Sequence, residues 1–323
     1  MATAKPAGAE ACAATAGVPR RADSLALVVP TKDRPREVRR LLESVRAQDI
    51  VPARVVVVDA GDGSLAPVAS EFVDLDVSYL RAPRPGLTRQ KNLGVLHAGE
   101  DVDLIAFIDD DIVLEAGALG AMLAFWREAG PEVGGASFNI VNAAPARSRM
   151  VPRLLRLFRM SADSYGTVLR SGFNTPITNT PATRFTEWLN GGSTVWRREI
   201  LREHRFAEWF PGSGLCEDVW FSRRIHPRYR MAVVAPARVR HQEVGRSIRG
   251  EFGAGRAQVL NRLYVVRSDA RLSMWQCLYA LTGQLVLNLA LGVATRDRGL
   301  LLRAAGNVSG FARALRPRTF ETP

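Results

Sequence analysis

Apolar and polar positions along this chain switch repeatedly between the period of a strand and the period of a helix. "SLALVVP", residues 24–30, is a short unbroken apolar run closed by a proline, which suits a buried strand. In "REVRRLLESVRAQ", Val38, Leu41, Leu42 and Val45 fall on one helical face, with Asp33 placed to cap the helix and Pro35 in its first turn. "ARVVVVDAGD" follows with four consecutive valines, the pattern of a strand covered on both faces, so the chain opens β-α-β. The alternation continues through "DVSYLRAP" (strand), "GLTRQKNLGVLHAG" (helix) and "DLIAFID" (strand). "GALGAMLAFWREAGP" then sets Leu119, Met122, Leu123 and Trp126 on one face and stops at Gly130 and Pro131. This order predicts an α/β domain with a mostly parallel central sheet flanked by helices, and no segment repeats at a fixed period.

The two ends read differently. Residues 1–24 are small, Ala-rich and punctuated by Pro and Gly, and Glu10 interrupts the one candidate apolar stretch, so a disordered leader is expected rather than a secretory signal. The α/β domain is expected over 25–262, followed by a C-terminal helical extension over 263–323. Between Arg271 and Arg296 there is no charged residue, and "WQCLYALTGQLVLNLALGVA" is long enough to cross a bilayer. Gln276, Gln284 and Asn288, however, recur at multiples of four and draw a polar stripe along it, which argues against a simple span. A helix or hairpin in or on the inner face of the cell membrane is expected, with Arg267, Arg271, Arg296, Arg298 and Arg303 on anionic headgroups. A buried helix packed on the domain and a dimer contact remain open.

Composition adds one constraint. The chain of 323 residues is 47% hydrophobic, enough for a substantial core, and carries a formal net charge of +12. Its only lysines are Lys5, Lys32 and Lys91, so 41 of its 44 basic residues are arginine. A positive surface favours anionic partners. The arginines are dispersed and no nucleic-acid motif is present, so a nucleic-acid partner is not expected. Cys12, Cys216 and Cys277 are odd in number and lack metal-type spacing, as in idle thiols of a reducing cytoplasm.

Candidate chemistry lies at the carboxyl ends of the strands, where open α/β sheets bind ligands. Three clusters fall there: Thr31 to Arg34, including Asp33; Asp59 to Asp62; and Asp109, Asp110 and Asp111. "PTKDRP" after the first strand is no dinucleotide fingerprint, and no G-x-x-x-x-G-K-[ST] loop occurs anywhere. Two carboxylates about 4 Å apart repel by about 4 kcal/mol at an effective dielectric of about 20, so three in a row require counter-charge. In extended geometry Asp109 and Asp111 would share a side and Asp110 would face the other, and such a pair suits Mg²⁺ or Mn²⁺. Acids at a strand end also cap the next turn or helix.

"LVVPTKDRP", "VVVVDAGD", "GLTRQKNLG", "FIDDDIV", "LNGGSTVWRREIL" and "CEDVWFSRRI" occur in the order and spacing of the inverting, sugar-nucleotide-dependent glycosyltransferases of family 2, which have the GT-A (Rossmann-like) fold. The resemblance covers about residues 25 to 245. It implies that Asp33 and Asp59 contact the nucleoside, that Lys91 and Asn92 stand where the family carries Arg-Asn, that Asp109 meets the ribose, and that Asp111 meets the metal bridging the diphosphate. It leaves Asp110 among the nucleotide contacts without a definite task, and it implies His241 as a further metal ligand. Arg246, or Arg249 beside it, corresponds to a loop folding over the diphosphate. Gly191 and Gly192 remove side chains where a donor sugar could approach the backbone; a tight turn is the other reading. Trp188, Trp209 and Trp220 are sugar platforms or core.

The resemblance further implies Asp218 as the base that deprotonates an acceptor hydroxyl, although an acid there would also favour a helix N-terminus. The reaction expected is transfer of a sugar from a nucleoside diphosphate to a hydroxyl of a glycan or lipid-linked acceptor. A sugar nucleotidyltransferase would need a Gly-rich, Arg-bearing loop after the first strand, and "PTKDRP" is not one.

Overall fold

The computed structural model describes residues 20–143, 150–242, 248–316 and 319–320. Its elements run β1 (Arg20–Thr31), α1 (Pro35–Arg46), β2 (Ile50–Asp59), α2 (Ala66–Ala69), β3 (Val77–Arg81), α3 (Leu87–His97), β4 (Leu104–Ile108), β5 (Ile112–Leu114), α4 (Ala118–Glu128) and β6 (Val133–Ile140). There follow α5 (Met150–Leu157), β7 (Arg184–Thr186), β8 (Ser193–Arg197), α6 (Arg198–Glu203), α7 (Glu217–Ile225), β9 (Arg230–His241), α8 (Ile248–Arg267), α9 (Met274–Ala294) and α10 (Arg298–Ala314). β1 starts within the segment expected as leader, Arg20 to Ala22 pairing with Ile50 to Pro52 ahead of a register shift.

One nine-stranded sheet has the order β3-β2-β1-β4-β8-β6-β9-β5, with β7 also on β9. The parallel ladder expected from the valine-rich runs is its β3-β2-β1-β4 half. The other half is mixed: β8 is antiparallel to β4 and β6, while β6 and β9 are parallel. Side chains of β1 divide between two layers. Leu25, Leu27 and Val29 pack with Leu41 and Leu42 of α1 and Met122 of α4, whereas Ala26 and Val28 join Phe107, Trp196 and Phe221 on the α7 side. Each fully buried aliphatic side chain of this kind contributes about 1.5–3 kcal/mol, which is why the strands read as continuous apolar runs.

α8 runs unbroken through residue 262 and packs along α10 at backbone distance. A Cβ at Gly255 would lie 2.0 Å from the Arg303 carbonyl oxygen, and one at Gly306 would lie 2.1 Å from that of Phe252. α9 completes this group, Cys277, Ala280 and Leu281 packing with Val259 and Leu263 of α8. Asn288, from the polar stripe seen in the sequence, donates from Nδ2 to Asn307 Oδ1 at 2.8 Å inside the group.

Candidate active site

A cleft of about 950 Å³ opens beyond the carboxyl ends of β1 and β4. Its floor is Thr31, Lys32 and Arg34 together with Asp109, Asp110 and Asp111; His241 stands at one side, and Gly212, Ser213, Leu215 and Glu251 close another. The Gln90 amide of α3 ties the floor together, donating to the carbonyls of Thr31 and Val58 at 2.8 Å each.

The three acids do not continue the strand. β4 ends at Ile108, and the Ile112 amide donates back to the Asp109 carbonyl at 3.1 Å, so the acids sit on a turn. The alternation expected of an extended segment is thereby corrected. Asp110 and Asp111 lie together under one guanidinium: Arg34 Nη1 donates to Asp110 Oδ1 at 2.7 Å and to Asp111 Oδ2 at 3.2 Å. Asp110 also accepts from Thr31 Oγ1 at 2.7 Å, and burial pushes its carboxyl up to about 6 despite these bonds. Arg34 supplies part of the counter-charge that three adjacent carboxylates demand. The sequence placed Arg34 in the first strand-end cluster without giving it a role, although that electrostatic need was the signal that could have assigned one.

Register brings His241 to the turn. β5 pairs antiparallel with β9, setting Ile112 opposite His241, and the Gln242 amide donates to the Asp111 carbonyl at 2.7 Å. His241 Nε2 then lies 3.1 Å from Asp111 Oδ1. Burial acts to raise the Asp111 carboxyl, but the His241 contact and Arg34 outweigh it and leave the group below its ordinary value. Two candidate metal ligands from distant parts of the sequence therefore stand together. Among the described residues no group of three His, Cys, Asp or Glu is gathered closely enough to hold a metal.

Asp109 turns the other way, towards the strap that precedes β8. Its amide donates to the Gly192 carbonyl at 2.9 Å, its side chain is half-buried with Oδ1 buried and without a hydrogen-bond partner among the described residues, and desolvation raises its pKa. A Cβ at Gly192 would come 2.0 Å from Asp109 Oδ2 and 2.4 Å from its Cγ, so the absent side chain is a steric requirement. Gly192→Ala is expected to displace the Asp109 carboxyl and weaken nucleotide binding by about tenfold or more, an overpacking cost of about 1–3 kcal/mol. Calorimetric titration with nucleoside diphosphates checks this, and unchanged affinity would remove Asp109 from the site.

Gly191 joins the strap to α7. Its amide lies 3.5 Å from Asp218 Oδ2, and its carbonyl accepts from Lys91 Nζ at 2.8 Å. Cys216, just before α7, has φ 71°, an uncommon conformation for a residue with a side chain, costing about 1–3 kcal/mol. That bend starts the helix at Glu217 and puts Asp218 half-buried beside the Gly-Gly strap, its Oδ1 accepting from the Val219 amide at 2.8 Å. Burial raises the Asp218 carboxyl above the ordinary range.

Several expectations are corrected here. Lys91 does not reach into the cleft: it is fully buried, its Nζ 2.6 Å from Glu217 Oε1 and facing the Phe206 and Phe107 rings. Asn92 likewise serves the interior, donating to the Phe206 carbonyl at 3.0 Å and accepting from the Phe206 amide at 3.0 Å. Asp33 is not a helix cap. At φ 55° its Oδ1 accepts from the Asp62 amide at 2.7 Å, tying the loops after β1 and β2, while Arg34 occupies the cap position and its side chain makes no capping bond to the helix. Asp59 is fully buried and held by Tyr79 Oη at 2.9 Å, Arg81 Nη1 at 3.0 Å and the Gly61 amide at 2.7 Å. Trp188 and Trp220 are core residues, and Trp209 stacks on Tyr264 at 4.1 Å. Arg246 lies outside the described residues, as does the side chain of Arg249.

A strand-end cleft floored by a turn of three acids is thus in place, and the family model described as "Glycosyl transferase family 2" matches residues 26–183. This segment is a family 2 glycosyltransferase domain. The glycosyltransferase shares its fold with the mannosyltransferase PcManGT from Pyrobaculum calidifontis, solved with GDP-Man and Mn²⁺, at 16% identity and a TM-score of 0.55 over 89% of this chain and 87% of that one. It is similar too to GalNAc-T7, solved with UDP, GalNAc and Mn²⁺, at 16% identity and a TM-score of 0.54 over 76% of this chain; it spans 47% of that longer protein. No curated protein matches the chain by sequence. The Gly-Gly strap, Asp218 and His241 lie beyond the matched segment of the glycosyltransferase.

Proposed function

We propose that the enzyme transfers a sugar, with inversion, from a nucleoside diphosphate to a hydroxyl of a glycan or lipid-linked acceptor. The observation that carries this reading is the bracketing of one dipeptide: Asp109 lies against Gly192 on the cleft side, and Asp218 lies against Gly191 on the α7 side. The glycines themselves are buried and make room for Asp109 and Glu217, and a donor sugar held in the cleft beside them would have the nucleotide-side acids at one end and a carboxylate at the other. The acceptor oxygen attacks the anomeric carbon, the bond from that carbon to the diphosphate breaks, and the acceptor proton passes to Asp218. A carboxyl raised by burial is better matched to that task than an exposed one. The loop carrying Gly212 and Gly214, which forms one cleft wall, is the acceptor side of this reading.

Asp111 and His241 would hold a Mg²⁺ or Mn²⁺ ion. Two protein ligands suit these cations, which fill remaining positions with phosphate oxygens and water, and the neighbouring acids leave the floor acidic despite Arg34. When bound, the ion would neutralise charge on the departing diphosphate. Mn²⁺ alone is expected to bind weakly, and Mn²⁺ with UDP, GDP or dTDP tightly. Asp111→Ala and His241→Ala should each lose about 1–2 orders of magnitude of the metal-dependent part, comparable to the loss of other metal-site groups. Titration calorimetry with and without Mn²⁺ tests this, and absence of metal-dependent binding to all three nucleotides would overturn the donor-site assignment.

A further inference from the structure

α9 presents two faces of opposite use. One carries Cys277, Ala280, Leu281 and Asn288 into α8 and α10. On the other, Trp275, Tyr279, Thr282, Val286, Leu289 and Val293 are exposed, at spacings that alternate four and three and so form one straight stripe. Trp275 is 83% and Val293 64% accessible, and the stripe runs about 27 Å at 1.5 Å per residue. No charged residue interrupts it.

Charge is confined to its ends. Arg271 precedes the helix, and Arg296 and Arg298 follow it; all three are exposed. The acids nearby are already engaged. Asp269 is held by Arg223 and Arg271 at 2.8 and 2.7 Å, and Asp297 accepts from the Gly299 and Leu300 amides at the start of α10. Arg296 and Arg298 have no ion pair among the described residues. Two copies meeting along this stripe would face arginine with arginine at both ends, whether parallel or antiparallel, whereas an anionic lipid surface would meet a positive group at each end. Crossing the bilayer is disfavoured by the fold. α9 is fixed lengthwise to α8 and α10, and the Asn288–Asn307 bond would be carried into hydrocarbon. An aromatic pair at one end of an apolar stripe suits the headgroup boundary.

We propose that α9 is an interfacial membrane anchor, lying flat on an anionic bilayer with the Trp275–Val293 stripe at the level of the first acyl carbons and the end arginines on lipid phosphates. This assignment stands apart from the chemistry in the cleft. The full-length protein is expected to float with vesicles of phosphatidylcholine and phosphatidylglycerol and not with phosphatidylcholine alone, and added salt should weaken binding. The triple variant Trp275→Ser/Leu289→Ser/Val293→Ser should lose about tenfold or more in vesicle affinity, and Arg296→Glu/Arg298→Glu should lose the preference for the anionic lipid. Nucleotide affinity, measured on the same samples, should be unchanged in both, which separates this anchor from the catalytic assignment. Failure of the full-length protein to float, or undiminished flotation of the serine variant, overturns the proposal. A concentration-dependent dimer in sedimentation that the serine substitutions abolish would overturn it in favour of a second copy.

Discussion

Asp218→Asn is expected to keep nucleotide affinity within a factor of about two and to lower turnover by roughly 10²–10⁴, the range a positioned general base supplies. The asymmetry follows from where the side chain sits. Among the described residues Asp218 bonds to the Gly191 amide and its own neighbour Val219, on the α7 side of the strap, while Asp109, Asp110 and Asp111 floor the cleft on the other. Asn is nearly isosteric and keeps one oxygen for the 2.8 Å bond from the Val219 amide, giving up only the longer 3.5 Å contact with the Gly191 amide, so the main loss is of proton-accepting capacity. The competing role for an acid in the first turn of α7 is to favour the helix N-terminus, worth about 0.3–1 kcal/mol at the surface. That role predicts a small drop in thermal stability with little change in rate. A pH profile separates the two. The base must be ionised, and burial raises its pKa, so kcat should rise with pH through a limb displaced above the ordinary carboxylate range. The limb should vanish in the Asn variant. A rate within a few-fold of the parent enzyme would exclude Asp218 as the base.

Much of the architecture was legible because strands covered on both faces must be apolar throughout. "LALVV", "VVVV" and "LIAFI" could be placed as the parallel strands they form, and α1, α3 and α4 followed from their helical spacing. The antiparallel insertion of β8 between β4 and β6 was not legible, since periodicity says nothing of strand direction. At the site, residue types were easier to read than their partners. His241 could be matched to the acids only by resemblance; the physical reason is the β5–β9 register, which a linear chain does not display. Asp109, Asp110 and Asp111 were read as an extended segment because apolar residues resume at Ile112, but the chain turns at Asp109 and redistributes them. Lys91 was misread for a related reason. A cation in a helix is expected at a surface or on a ligand, and nothing near it in sequence announces Glu217, 126 residues away.

Lys91→Met should cost about 3–5 kcal/mol of stability, the typical loss when one member of a buried ion pair is removed and its partner is left uncompensated. Lys91 is fully buried and Glu217 nearly so, with the ammonium bridging Glu217 Oε1 and the Gly191 carbonyl between α3, the strap and α7. Among the described residues Glu217 Oε2 already has no hydrogen-bond partner, so losing Lys91 leaves the whole carboxylate without one. Met fills a similar volume, which separates the loss of charge from the opening of a cavity. The sign of the pH dependence is fixed by Glu217. Burial raises its carboxyl although Lys91 opposes the shift, and without Lys91 the folded-state value must rise further. A carboxyl whose folded pKa exceeds its unfolded one binds more protons when folded, so stability falls as pH rises between the two values. Lys91→Met should therefore be least destabilised at pH 5, where Glu217 can be buried neutral, and most destabilised at pH 8. The double variant Lys91→Met/Glu217→Gln should recover part of the loss, because it removes the unpaired charge rather than adding a second defect. Chemical denaturation of the three variants at both pH values measures these differences. A Lys91→Met variant as stable as the parent at pH 8 would mean that the pair does not hold the strap to α7, and that Asp218 owes its position to the bend at Cys216 alone.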